Sequence, residues 1–266
     1  MSLAVQATFS STGLALRVFT SCLLLEIVFV LLDYHVNYGH LTEVGAIRRL
    51  TNIAREDGLA SWFGTAQTLL VGLTAYGILL LVRAVHAPLW RRSGWFVVAS
   101  MFTYMAMDDG AQLHERLGTL ASELREDGGM SALDLFPSYT WQVLFVPIFG
   151  LFGLILAVFL WYELKDRLGL FLVFSALGCL VAAVGLDFIE GLDKDHPLNL
   201  YSLIAGRVEL SDFTTTRFGR TPYEALDHFS RSLEEFLEML ANTFLWATFI
   251  RHLRYVASDV HFRVTA

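Results

Sequence analysis

The chain has 266 residues, of which 55% are hydrophobic and 17% charged, and its formal net charge is -7. This composition is typical of membrane proteins, and because no basic nucleic-acid-binding motif is present, the expected partners are membrane lipids and no nucleic acid. The two cysteines, Cys22 and Cys179, exclude a disulfide framework and a cysteine-rich metal motif.

Apolar runs recur along the chain, each near the twenty residues that cross about 30 Å of hydrocarbon. They predict an all-α fold, a polytopic membrane helix bundle in one domain, with six spans: about 14–36, 61–85, 94–115, 139–163, 168–190 and 227–250. The first run does not resemble a cleavable signal peptide, because Glu26 interrupts it and no small-residue cleavage site follows.

Basic residues in the short links predict the orientation of the spans. The link 86–92 contains two arginines and no acid. The next short link holds Lys165 and Arg167, and Arg251 and Arg254 follow at the end of the last span. We therefore predict a bacterial inner (cytoplasmic) membrane protein with its N-terminus and C-terminus in the cytoplasm.

The other links are longer and lie outside the cytoplasm in this orientation: about 37–60, 116–138 and 191–226. An amphipathic interfacial helix is predicted at residues 43–58. Its apolar residues recur at helical spacing: Val44, Ile47, Leu50 and Ile53. A surface connector packed on the spans is the alternative. The segment 191–226 is predicted as a long extracytoplasmic loop, and a loop of that length is either functional or mobile.

Carboxylates are concentrated in the outer parts of three spans. They are Asp108 and Asp109 with His114 and Glu115, Asp187 with Glu190, and Glu234, Glu235 and Glu238 behind His228. Glu26 lies alone near the middle of the first span. An ionisable side chain within a membrane span costs roughly 2.5–3.5 kcal/mol, so it normally faces a partner, a cavity or an ion. In the predicted topology all the clusters reach the same side of the bilayer, where so many acids with few bases need a cation.

Helical spacing places these acids on particular faces. Asp108, Gln112 and Glu115 stand at i, i+4 and i+7 and predict one stripe of the third span. Asp187 and Glu190 are i, i+3 neighbours that can reach one ion together. On the last span a polar stripe covers four turns and consists of His228, Arg231, Glu235, Glu238 and Asn242. Arg231 is expected to neutralise one carboxylate of this stripe.

Carboxylates and imidazoles on facing helices are typical ligands of metal sites in helix bundles, although the Glu-x-x-His pattern of di-iron proteins is absent. The predicted cofactor is a divalent metal (Fe, Zn or Mn). Its predicted ligands are Asp108, His114, Glu115, Asp187, Glu190, His228, Glu235 and Glu238. Asp109 and Glu234 are predicted to move protons as catalytic residues. The alternative for the whole set, which also includes Glu26, is a hydrogen-bonded structural network.

Two motifs resemble those of a broad group of uncharacterised bacterial and archaeal multi-span membrane proteins. The segment 107–118, Met-Asp-Asp-Gly-Ala-Gln-Leu-His-Glu-Arg-Leu-Gly, resembles their Asp-(Asp/Glu)-x4-His-Glu motif, with Asp109 where Glu is usual. The segment 233–240, Leu-Glu-Glu-Phe-Leu-Glu-Met-Leu, resembles their late Glu-Glu-x-x-Glu-Met motif. The acid and histidine set is also similar to that of alkaline-ceramidase-type membrane metal hydrolases, although their Ser-x-x-x-His and His-x-x-x-His spacings are missing.

Three functions agree with these features. The first is metal-dependent chemistry on a lipid or other apolar substrate, and the second is a cation or proton-coupled carrier. The third is a non-catalytic subunit of a larger complex, with partner membrane subunits. A carrier is expected to show internal repeats or broken spans, and neither is evident apart from Gly185 near Asp187.

Overall fold

The computed structural model describes residues 10–126 and 136–257, and within these ranges the chain is helical without any strand. The all-α prediction is confirmed. A π-helix, Asp33–Tyr38, continues the first α-helix. The α-helices are α1 (Ser11–Leu32), α2 (Gly45–Thr51), α3 (Leu59–Ala84), α4 (Leu89–Ala111), α5 (Leu113–Glu126), α6 (Thr140–Glu163), α7 (Arg167–Glu190), α8 (Leu200–Ala205), α9 (Ser211–Phe218) and α10 (Pro222–Val256).

In the described part of the chain, four helices are long and apolar enough to cross a membrane: α1 with its π-helical continuation, α3, α6 and α7. Exposed apolar side chains such as Leu24, Leu151 and Val181, which are 64%, 59% and 74% exposed, cover the outer faces of this bundle. Such apolar surfaces are typical of contact with lipid. The helices α4 and α10 have 23 and 35 residues but carry more charge, so the count of six spans stays a prediction.

The long helix α10 is the centre of the bundle. It packs against α1, α3 and α7, while α3 packs against α4. Between α3, α4 and α10 lies an apolar core that includes Val71, Trp95, Phe102, Leu245 and Phe249. A helix surrounded by protein can carry ionisable side chains that a lipid-facing helix cannot, which explains why α10 is the most polar of the long helices around this core.

A buried ion cluster joins α4, α6 and α10 at one end of the bundle. Glu163 is 2% exposed and accepts hydrogen bonds of 2.7 and 2.5 Å from Arg91. Trp95 Nε1 donates to the same carboxylate at 3.2 Å. His252 Nε2 lies 3.1 Å from it, and the His252 ring stacks on Trp95. This cluster was not predicted, because helical spacing cannot pair residues of three separate helices.

The last helix begins five residues before the predicted start. Thr221 and Glu224 form a capping box, in which each side chain bonds the backbone N–H of the other residue, and Pro222 occupies the first turn. The segment 191–226 therefore includes α8, α9 and the first turn of α10, so that much of the predicted loop is helical. Residues 127–135 of the predicted link 116–138 lie outside the described ranges.

The predicted amphipathic segment 43–58 contains the short helix α2. Val44, Ile47 and Leu50 are 52%, 46% and 47% exposed, whereas Ile53 is fully buried. The three exposed side chains leave an apolar face without cover from the described part of the chain. That face is compatible with an interfacial position, which stays a prediction.

Candidate metal centre

A cavity of about 560 Å³ lies at the end of the bundle opposite the Glu163 cluster. Its lining comes from the α2–α3 link, α5, α7, α10 and the start of α6. Six carboxylates and one basic side chain take part in it: Glu56, Glu115, Asp187, Glu190, Glu234, Glu235 and Arg231. Acids that are far apart in the sequence thus meet at one place, and their excess over bases attracts cations.

Three carboxylates of α7 and α10 form the tightest group. One oxygen atom each of Asp187, Glu190 and Glu234 lies within 4.8 Å of the others. Two oxygens that bind one divalent ion at up to 2.2 Å lie at most about 4.4 Å apart, so a small inward movement of these side chains would bring all three oxygens within reach of one ion. The sequence placed Glu234 among the proton-moving acids and Glu235 among the ligands, whereas the structure groups Glu234 with the pair on α7.

Side chains at the start of α6 hold two of these carboxylates. Gln142 Nε2 donates to Asp187 Oδ2 at 2.6 Å, and the Tyr139 hydroxyl donates to Glu190 Oε1 at 2.8 Å. Arg231 Nη2 lies 2.9 Å from the same Glu190 oxygen, in agreement with the expectation that this arginine neutralises one carboxylate. Hydrogen bonds of this kind orient metal ligands. Sequence reasoning missed Tyr139 and Gln142, although polar residues at the start of a strongly apolar helix were a usable signal.

A second group of acids surrounds His114 beside the first group. Besides Asp108, five carboxylates interact electrostatically with the His114 ring: Glu56, Asp109, Glu115, Asp187 and Glu238. Glu235 interacts with Glu238 and Asp109. Asp109 Oδ2 also accepts a hydrogen bond of 2.6 Å from Thr65 Oγ1. Most of the predicted acids therefore belong to one continuous cluster.

Glu56 is a member of this cluster that the sequence did not identify. Its position in the predicted amphipathic segment indicated a residue on the polar face of a surface helix. In the structure Glu56 is an exposed residue of the α2–α3 link that lines the cavity. Partial burial of its carboxyl group and the neighbouring Glu115 and Asp109 carboxylates raise the pKa of Glu56 to about 7.

The chain turns sharply between Asp108 and His114. α4 ends, Gln112 adopts the left-handed conformation with φ 54° and ψ 41°, and α5 begins at the next residue. Asp108 Oδ1 accepts a hydrogen bond of 2.9 Å from the His114 backbone N–H, which stabilises the start of α5. Because the helix breaks here, Asp108, Gln112 and Glu115 do not form the single stripe that the spacing predicted.

The side chain of Asp108 also holds the His114 ring. Asp108 Oδ2 lies 2.8 Å from His114 Nδ1, so both carboxylate oxygens are engaged with the same residue. Asp108 thus orients a histidine and is not among the residues that line the cavity. In a neutral His114 ring whose Nδ1 donates to Asp108, Nε2 is an acceptor, as in metal sites where a carboxylate fixes the ring of a ligating histidine.

A close approach between α5 and α6 places Glu115 in the lining of the cavity and His114 beside Trp141, which also lines it. A Cβ atom at Gly118 would lie 2.7 Å from Trp141 Cβ, so only glycine allows this separation. The His114 ring meets Trp141 edge-on, with 4.7 Å between the ring centroids.

His228 lies on the α1 side of α10, away from the acids of the cavity. Its Nε2 is 2.8 Å from Asp33 Oδ2, and its ring stacks on Tyr38 with 4.2 Å between the centroids. Ser232 Oγ donates to the same Asp33 oxygen at 2.9 Å, and Asn37 Nδ2 donates to the other at 2.8 Å. His228 therefore lies outside the acid cluster and joins α10 to the π-helix, and its role as a metal ligand stays a prediction.

Glu26 and Asn242 lie deeper in the bundle than the cavity. Glu26 is fully buried and contacts Gln67 and Thr243. Asn242 Nδ2 donates to Thr68 Oγ1 at 2.9 Å. Asn242 therefore binds α3 and does not extend the acidic stripe of α10.

Together, the fold and the cavity define an all-α membrane protein with a carboxylate cluster at one end of its helix bundle. Residues 19–253 match the family model described as Domain of unknown function (DUF8692). The chain belongs to this family. No curated protein and no solved structure matches the chain. The two sequence motifs and the likeness to alkaline-ceramidase-type hydrolases stay predictions.

Proposed function

We propose that this protein is a six-span inner-membrane protein that binds a divalent metal ion between Asp187, Glu190 and Glu234 and uses it for chemistry on a lipid or other apolar substrate. The observation that carries this proposal is the approach of three carboxylate oxygens to within 4.8 Å of one another. Like charges at this separation repel strongly unless a cation lies between them. A bound ion supplies that cation.

The donor set indicates which metals suit the site. Three carboxylates favour Mn²⁺ among Fe, Zn and Mn, and Nε2 of His114 would add the nitrogen ligand that Fe or Zn prefers. A divalent metal held here would lower the pKa of a coordinated water and polarise an ester or amide carbonyl.

The chain's own side chains have separate roles in this proposal. Tyr139 and Gln142 position two ligands, and Arg231 balances part of the negative charge through Glu190. Asp109 and Glu235 are the acids best placed to move protons, since they lie beside the ligand group without belonging to it. Glu234, given that role from the sequence, is assigned as a ligand.

The distribution of basic residues supports six spans and the proposed orientation. Arg91 and Arg251 lie at the end of the bundle opposite the cavity, and Arg254 Nη1 donates to Thr12 Oγ1 at 3.2 Å near the start of α1. The hydrogen bond from Arg251 holds the pKa of Asp166, which lies between α6 and α7, below its usual range. The start of α1 and the end of α10 therefore meet at the basic end, which belongs in the cytoplasm, and the cavity is extracytoplasmic.

We expect cysteines introduced at Thr215 and Ser93 to report opposite sides of the membrane. Both residues are exposed, so each new thiol is accessible to solvent once Cys22 and Cys179 are replaced by alanine. In whole cells an impermeant thiol reagent should label the cysteine at 215 and leave the one at 93 unlabelled until the cells are permeabilised. The reverse labelling would place the cavity on the cytoplasmic side.

We expect the purified protein to contain one or two atoms of Fe, Zn or Mn per chain, measured by plasma mass spectrometry after extraction in mild detergent. Asp187→Ala and Glu234→Ala should each lose this metal, because each removes one of the three converging oxygens. Glu209→Ala, at an exposed acid that does not line the cavity, should retain it. A folded wild-type protein that remains metal-free when supplied with all three ions would contradict the proposal.

A cation or proton-coupled carrier is the second candidate, and one observation favours it. Polar side chains continue below the cavity along α3 and α10, through the Asn242–Thr68 hydrogen bond of 2.9 Å and the Gln67–Thr243 hydrogen bond of 2.8 Å. In liposomes a carrier would move Mn²⁺ or protons faster than empty membranes do, whereas the enzyme would convert lipid without such a flux. The role of a non-catalytic subunit in a larger complex stays a prediction.

A further inference from the structure

Glu26 is held in a compact polar group near the middle of the membrane-spanning part of α1. The residue is fully buried, and Gln67 is 1% exposed. Glu26 Oε1 accepts hydrogen bonds from Gln67 Nε2 at 3.0 Å and from Thr243 Oγ1 at 2.5 Å. Gln67 Nε2 also donates to Thr243 Oγ1 at 2.8 Å. Three helices, α1, α3 and α10, thus meet at one carboxyl oxygen.

Two oxygen atoms of this group are buried without a hydrogen-bond partner among the described residues. They are Glu26 Oε2 and Gln67 Oε1. Both are acceptors when the carboxyl group is ionised, so neither can satisfy the other. Buried polar atoms in native proteins are nearly always hydrogen-bonded, and two unpaired acceptors on residues that are already bonded to each other point to a missing donor.

Among the described residues, no basic side chain interacts with Glu26. The side chains that interact with this group come from Cys22 on α1, Gln67 on α3 and Thr243 on α10. None of these is basic, and Cys22 is the titratable one. An unpaired charge is far more costly to bury than a neutral hydrogen-bonded group. A carboxylic acid pairs with an amide through one N–H···O and one O–H···O bond, and the first of these bonds is present.

We propose that Glu26 and Gln67 form a proton-binding site inside the membrane, in which Glu26 Oε2 carries a proton and donates it to Gln67 Oε1. This site is separate from the metal centre and does not depend on it. Thr243 lies five residues beyond Glu238 on α10, which corresponds to about 7.5 Å. The proton site is therefore deeper than the acid-lined cavity.

Polar groups connect this site with the cavity and apolar groups separate it from the other side. The Thr65–Asp109 hydrogen bond of 2.6 Å lies between the two depths, and the Asn242–Thr68 hydrogen bond of 2.9 Å lies beside the site at the same depth. Beyond the site, towards the Glu163 cluster, α3 and α10 bury Val71, Ala75, Leu245 and Phe249 without exposure to solvent. The proton on Glu26 therefore exchanges with the cavity side of the membrane.

Infrared spectroscopy of the full-length protein in lipid nanodiscs tests the proposal. Wild-type protein at neutral pH should show the C=O band of a protonated carboxyl group, and the band should shift in D₂O. Glu26→Gln should lose this component, whereas Glu209→Gln, at an exposed acid, should retain it. Glu26→Gln should also keep the wild-type melting temperature, because an amide at this position donates to Gln67 Oε1 and still accepts from Thr243. Glu26→Ala should lower the melting temperature.

Gln67→Leu provides an independent measurement. It removes the proposed acceptor, so the carboxyl band should move to higher wavenumber while remaining sensitive to Glu26→Gln. An infrared spectrum that is identical in wild-type and Glu26→Gln protein would overturn the proposal, and a band that does not shift in D₂O would overturn the connection with the cavity. A sodium ion in place of the proton would also overturn the proposal. It would raise the wild-type melting temperature in sodium chloride above that in choline chloride, with no such difference in Glu26→Gln.

Discussion

Removal of the metal with a chelator should lower the melting temperature of the purified protein by about 5–10 °C. A ligand present at a hundred times its dissociation constant stabilises the folded state by about 2.7 kcal/mol, and for a chain of this size each kcal/mol corresponds to about 2–4 °C. Electrostatic repulsion adds to the loss, because the metal-free cavity is lined by six acids and one arginine. Differential scanning fluorimetry with and without chelator measures the shift, and added Mn²⁺ should reverse it.

Glu238→Gln separates this electrostatic effect from ordinary packing. Glu238 lies among Asp109, Asp187, Glu56 and His114, and glutamine preserves its shape while removing one negative charge. The variant should bind metal more weakly than wild type and yet melt at a higher temperature than wild type when both are metal-free. Glu209→Gln should change neither quantity. If chelator has no effect and Glu238→Gln is destabilised equally in every condition, the cluster is a hydrogen-bonded structural network.

Arg91→Ala should lower the free energy of unfolding by about 3–5 kcal/mol, the usual cost of leaving one member of a buried ion pair without its partner. Arg91 makes two hydrogen bonds to Glu163, whose side chain is 2% exposed. His252 and Trp95 remain beside the carboxylate but carry no fixed charge. Unfolding in mixed micelles by a denaturing detergent measures the loss.

The matched control for Arg91 is Arg83→Ala, an exposed arginine at the same end of the bundle, which should be nearly neutral. The double variant Arg91→Leu with Glu163→Leu should be more stable than Arg91→Ala alone, because it leaves no unpaired charge. Equal losses in Arg91→Ala and Arg83→Ala would mean that the buried pair contributes little to the folded state.

The meeting of the acids could be predicted because it depends on few facts. Apolar runs fix the directions of successive spans, and Asp187 and Glu190 stand one turn apart on a helix that the sequence delimits to within one residue at its start. The membrane excludes scattered carboxylates, so their convergence follows from the topology. These arguments need no knowledge of side-chain packing.

Other parts of the site depend on interactions that spacing does not reveal. Gln112 takes a left-handed conformation that is uncommon for a residue other than glycine, and this local break moves Glu115 onto another helix. His228 and Arg231 share a stripe on a helical wheel, yet α10 is surrounded by protein and presents polar groups on more than one side. Which of them meets Asp33 is decided by the position of the π-helix. Glu56 entered the cluster through an irregular link, for which no periodic pattern exists.

The length of α10 determines what part of a lipid could reach the carboxylates. Its 35 residues extend over about 52 Å, whereas the hydrocarbon layer is about 30 Å thick. Twenty residues counted back from Arg251, at the cytoplasmic boundary, cover about 30 Å and end at Arg231. With α10 crossing the bilayer as proposed, Glu234 and Glu235 lie about 4.5–6 Å beneath this outer boundary, just below the glycerol backbone and its ester bonds. A lipid that diffuses sideways to the bundle would therefore present its ester linkages, and not the ends of its acyl chains, to the metal centre.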